Sequence, residues 1–167
     1  MNEEQAKKLV EPLIEGCTIT EVQDYGDIFA IHFVNDEYYK SQSFLDMAVG
    51  AGPTFIEKDS GIITQTWSSR GVLQYVEAYK ACGDFFALLG SSVSLLDAVK
   101  NIDVPKAIFG IKGLCSYSTV ESKEIVSLVM SGNEQVLEFG NSYEASCALE
   151  KLSQIGFSAV QNWESST

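Results

Sequence analysis

The chain has 167 residues, room for one domain or for two small ones, and its 46% apolar and 20% charged content with only three prolines excludes a disordered chain. Eleven basic residues against twenty-three acidic ones give a net charge of −12, which excludes the basic surface that phosphate neutralisation requires. No apolar run approaches the ~18 residues of a membrane span, and the start Met-Asn-Glu-Glu-Gln-Ala-Lys-Lys lacks a signal-peptide pattern. The expectation is therefore a soluble, cytoplasmic protein with neither nucleic acid nor membrane as partner.

The first segment carries Ala6, Leu9, Val10 and Leu13 at spacings of three and four, an amphipathic helix kinked at Pro12 and ended by Gly16. Cys17–Gln23 reads as a strand, followed by turn residues Asp24, Gly26 and Asp27. Ile28–Val34 is a second strand, with Phe29, Ile31 and Phe33 on one face and Ile28, Ala30, His32 and Val34 on the other. Both faces are largely apolar, so this strand belongs at the centre of its sheet. Asn35–Tyr39 reads as a strand end or loop, and Ser41–Val49 as an irregular connection. Thr54–Glu57 and Ile62–Trp67 form a hairpin around a loop whose Gly61 can take positive φ. A helix follows, with Val72, Tyr75, Val76 and Tyr79 as its apolar stripe and Cys82-Gly83 at its close. This order suits an antiparallel sheet with helices on one face.

Residues 84–105 are too apolar for a flexible linker. Ser94-Leu-Leu-Asp97 resembles a helix start and Gly90-Ser-Ser a break, so the stretch is expected to be a helical connector ended by Pro105. Ala107–Ile111 then reads as a short strand. Ser118 and Glu121 fit a capping box for a helix through Ile125, Val126, Val129 and Met130, with Gly132 as its stop. Val136–Phe139 is a strand, and Asn141 and Glu144 cap a helix that ends at Gly156. Phe157–Trp163 is the last strand. The expected order is β-α-β-α-β, a small two-layer sandwich without internal repeat.

The chemistry-bearing residues point away from an enzyme. Cys17, Cys82, Cys115 and Cys147 stand far apart, without the clustering of a disulfide framework or a zinc site, and read as reduced thiols. Cys17 and Cys147 are expected to be small buried hydrophobes. His32, the only histidine, lies in an apolar strand and is expected to be packed and hydrogen-bonded. Gly50-Ala51-Gly52 is followed by Pro53 and a strand, which makes it a turn rather than a phosphate loop. Trp67 and Trp163 are expected to anchor cores. Asp36 and Glu37 would point to opposite faces of a strand, against joint acid–base work. Together with Tyr38 and Tyr39 they suit recognition of a basic protein surface, the alternative being a strand end with one packed tyrosine and solvated acids.

The ordered series Ala48-Val-Gly-Ala-Gly-Pro-Thr-Phe-Ile-Glu-Lys-Asp-Ser-Gly-Ile-Ile, Thr66-Trp-Ser-Ser and Leu73-Gln-Tyr-Val-Glu-Ala-Tyr resembles the YrhB-like, immunity protein 35 family of small bacterial domains over about residues 3–82. The resemblance implies an α+β domain that binds and neutralises a cognate toxin, with some members chaperone-like and no catalytic residue to carry over. Thr119–Val126, Val136–Gly140 and Ala145–Val160 are similar to the C-terminal domain of the bacterial ribosomal stalk protein, over about 106–162. Only Lys123 matches a basic position there, so the fold is carried over and the ribosomal role is not.

The sequence thus predicts an α+β protein of three parts, an immunity-type domain over 1–83, a helical connector over 84–105 and a stalk-like domain over 106–167. The expected function is non-enzymatic: steric neutralisation of a basic toxin domain, with no cofactor and no metal, through Asp36, Glu37, Tyr38 and Tyr39. The alternative is a chaperone-like or adaptor protein with no toxin partner.

Overall fold

The computed structural model describes residues 1–47 and 50–165. The chain is α+β and divides into two compact units, Met1–Phe86 and Ala87–Thr167.

The first unit is built on β2 (Ile28–Asn35), which pairs antiparallel with β1 (Cys17–Asp24) on one side and β3 (Ala51–Glu57) on the other; β4 (Ile63–Trp67) completes the order β1-β2-β3-β4. The central place expected for Ile28–Val34 is the one observed. Its two apolar faces, however, require cover on both sides, and the helices accordingly contribute to two separate cores rather than sharing one face. Helix α1 (Glu3–Val10) brings Ala6 and Val10, with Ile14 just beyond, against Phe29, Ile31 and Ile56. Helix α3 (Val72–Cys82) brings Tyr75 and Val76 against Ile28, Ala30, Phe55 and Phe85. The second core is aromatic, with Phe55 and Phe85 stacked at 4.6 Å between ring centroids and Tyr79 and Phe85 at 4.3 Å. Offset aromatic pairs at such distances add to the gain from burial.

Two details of the first helix differ from expectation. Ala6, Val10 and Ile14 form the buried stripe, whereas Leu9 and Leu13 are exposed. Pro12 does not kink the α-helix but sits in a separate 3-10 turn, Glu11–Leu13, where its missing N–H costs no interior bond. The turns between strands are tied by Lys58, whose ammonium reaches the Asp24 carboxylate at 2.5 Å and lies 4.2 Å from the Phe29 ring centroid. The Lys58 hydrogen bond holds the Asp24 carboxyl below its ordinary pKa.

The second unit keeps the expected two layers but not the expected elements. The stretch read as a helical connector contains β5 (Leu88–Ala98), the middle strand of a sheet ordered β6-β5-β7. Gly90-Ser-Ser is no break, because it lies inside that strand. Alternation decides the outcome: Val93 and Leu95 are buried in the core, while Ser92 and Ser94 bond Asn162 on the opposite face. Ala107–Ile111 is not a strand; it belongs to α4 (Val104–Cys115), capped by the Asp103 carboxylate accepting from the Lys106 amide at 3.0 Å. Pro105 therefore opens a helix, in whose first turn its fixed φ is favourable, instead of closing a connector. Helix α5 (Thr119–Met130) has the expected Ser118–Glu121 capping box, and α6 (Ser142–Ile155) has Asn141 as its cap and Gly156 at its end. With β6 (Gln135–Glu138) and β7 (Phe157–Glu164), the order is β-α-α-β-α-β.

One core serves this unit. Val93, Leu95, Leu137 and Phe157 from the sheet meet Ala107, Ile111, Val126, Val129, Ala145, Ala148 and Leu152 from the three helices. The four cysteines are unbridged, and Cys17 is half-buried. Cys147 is exposed rather than buried, since it falls off the Ala145–Ala148–Leu152 stripe. Burial pushes the Cys115 thiol up to about 11.

Candidate protein-binding surface

At the end of β2 the ladder to β1 closes with Cys17 opposite Asn35, and the Asp36 amide donates to the Gly16 carbonyl at 2.9 Å. The chain then turns into a short helix, α2 (Asp36–Ser41), not a strand end or loop. Asp36 and Glu37 are thus successive first-turn helix residues, and the strand argument that would send them to opposite faces does not hold. Acids in that turn are favourably placed against the helix dipole.

The helix is short because Gln42 leaves it in a left-handed conformation, φ 54°. Its amide donates to the Tyr38 carbonyl at 2.8 Å and its side-chain amide to the Tyr39 carbonyl at 2.9 Å. A 3-10 turn, Phe44–Asp46, follows, with the Ser43 hydroxyl accepting from the Leu45 amide at 3.3 Å. Asp46 closes the segment onto its own beginning. Its carboxylate accepts from the Ser41 hydroxyl at 2.6 Å, and its carbonyl accepts from the Asn35 side chain at 2.5 Å. Of the irregular connection expected over Ser41–Val49, Ala48 and Val49 lie outside the described residues.

This polar frame presents large apolar groups to solvent. Phe44 is 82% and Leu45 95% exposed, and Tyr39 and Met47 are exposed beside them in the chain. Burying either of the first two against a partner would contribute ~1.5–3 kcal/mol. Adjacent exposed apolar side chains held in a hydrogen-bonded frame make this segment the candidate contact surface.

The four residues singled out from sequence share this short helix but not one environment. Glu37 and Tyr39 are exposed, whereas Asp36 and Tyr38 are half-buried. Asp36 is committed internally, accepting from the Thr18 hydroxyl at 2.6 Å. Its charge also acts on Cys17, whose thiol is pushed up first by burial and then by that neighbouring carboxylate. His32 is half-buried, and its Nε2 atom is buried without a hydrogen-bond partner among the described residues, so the expected hydrogen bond is not found at that atom.

Sequence reasoning missed Phe44 and Leu45. The available signal was an apolar pair between Ser43 and Asp46 in a stretch without helix or strand period. It also misjudged Trp67, which is 67% exposed at the end of β4 rather than a core anchor. Trp163 is half-buried on β7. Among the described residues no helix is long and apolar enough to cross a membrane. No protein-family model, curated protein or solved structure matches this chain, so the functional reading rests on the geometry of this surface and on the sequence itself.

Proposed function

We propose that the chain is a non-enzymatic protein-binding module of the immunity type, which neutralises a basic toxin domain by covering its active site. The observation that carries this reading is the outward display of Phe44 and Leu45, 82% and 95% exposed, beside Glu37 and Tyr39. The apolar pair supplies contact area, and the acids of this segment together with the net charge of −12 favour a basic partner. The resemblance of residues about 3–82 to the immunity protein 35 family supports the same role. Steric cover requires no covalent step, and with Asp36 half-buried and bonded to Thr18, Glu37 is the exposed acid of the pair that can meet a partner directly.

Binding kinetics against any toxin domain encoded beside this gene test the reading. Charge reversal at Glu37 should slow association, and raising the salt concentration should slow it further. Phe44→Ser, Leu45→Ser and Tyr39→Ala should mainly speed dissociation. A complex whose rates ignore all these changes would move the contact elsewhere. Absence of any complex would replace immunity by the chaperone-like or adaptor reading.

A further inference from the structure

A cavity of about 460 Å³ opens where the 3-10 turn after α1, the end of β2 and the first residues of β3 meet the end of β4. Leu13, Ile14, Phe33 and Trp67 make its walls predominantly apolar, and Glu15 stands among them. Leu13 and Trp67 are exposed, 51% and 67%, so apolar surface extends outward from the cavity. Among the described lining residues Glu15 carries the one carboxylate, and none is Lys, Arg or His. An anionic occupant is therefore disfavoured and a cationic one favoured.

Two further observations concern the wall of this cavity. Thr54 lies on its wall, fully buried, and its hydroxyl has no hydrogen-bond partner among the described residues. Buried hydroxyls are ordinarily satisfied, so an unpaired one on a cavity wall is a waiting donor or acceptor. The backbone beside it is also fixed. A Cβ on Gly52 would come within 2.5 Å of the Trp67 carbonyl oxygen, so the two strands approach here as only glycine permits.

We infer that this cavity is the anchor socket of the protein-binding face. It takes an aromatic side chain with a polar edge, an indole N–H or phenol O–H facing Thr54, from a partner segment whose neighbouring positive charge meets Glu15. The inference rests on the protein-binding reading but names a different set of residues, and its test begins without the partner. Aromatic anchors in desolvated pockets dominate protein interfaces, and the volume falls in the range of pockets that enclose such groups.

The test is an amide NMR titration of the full chain with tryptamine and with indole-3-acetate, which share the ring and differ in charge. Tryptamine should give saturable shifts confined to residues 13–17, 50–54 and 65–67, and should bind about tenfold more tightly than indole-3-acetate. Thr54→Val keeps the shape and removes only an unpaired hydroxyl. It should therefore melt no lower than the wild type while weakening tryptamine by about tenfold. Tryptamine should also compete with the toxin domain for the chain. No saturable shift, equal affinity for the two indoles, or unchanged affinity in Thr54→Val would each overturn the socket, leaving the Phe44–Leu45 contact to stand on its own variants. Tryptamine binding without competition would overturn the anchor assignment and make the cavity a small-molecule site. Failure of the protein-binding reading shows separately, as a wild-type chain that forms no complex.

Discussion

Gly61 holds φ at +73° in the β3–β4 hairpin, and its amide donates to the Glu57 carbonyl at 2.9 Å. That conformation places the Cβ of an L-residue against backbone, most severely for a β-branched one. Gly61→Val should lower stability by roughly 1–2 kcal/mol, measured by urea unfolding of the full chain. An unchanged midpoint would mean that the turn relaxes without cost. This position was legible in the sequence because a glycine after Lys-Asp-Ser between two apolar runs leaves few alternatives. The surroundings of Asp36 and Tyr38 were not legible in the same way. Whether a side chain at the end of β2 packs or points outward depends on Thr18 and Asp46, which approach it only in the fold.

At the scale of elements, the capped helices α5 and α6 match their expected places, whereas β5 and α4 do not. Helix α5 announces itself through Ser118 and Glu121, and α6 through Asn141 and Gly156. The strand β5 does not, since its Ser94–Asp97 run imitates a cap while its true partners lie some 40 and 65 residues further along the chain. Helix α4 was obscured by Pro105, which marks a beginning as readily as an end. The sheet gives this misreading a measurable consequence. Strands β6 and β7 each pair with β5 and not with one another, so a fragment of residues 106–162 has no ladder and lacks Val93 and Leu95 from its core. Circular dichroism should find no cooperative thermal transition in that fragment, whereas residues 87–165 should melt cooperatively. A cooperative transition in the shorter fragment would show that its helices suffice without the central strand.

For the molecule as a whole, charge is the property that composition states most directly, and −12 on 167 residues sets the sign of any partner drawn to it by long-range forces. Composition does not locate the contact. The proposed one rests on the hydrogen bonds of Asn35, Ser41, Ser43 and Asp46, which turn an unpatterned stretch into a frame displaying Phe44 and Leu45. Both side chains are exposed, so replacing them with serine should leave the melting temperature nearly unchanged. Protection of growing cells against any toxin domain encoded beside this gene therefore tests the central claim most directly. The wild-type chain should restore growth, and the equally stable Phe44→Ser/Leu45→Ser double variant should fail to do so. A wild-type chain that gives no protection, or a double variant that protects as well as the wild type, would contradict it.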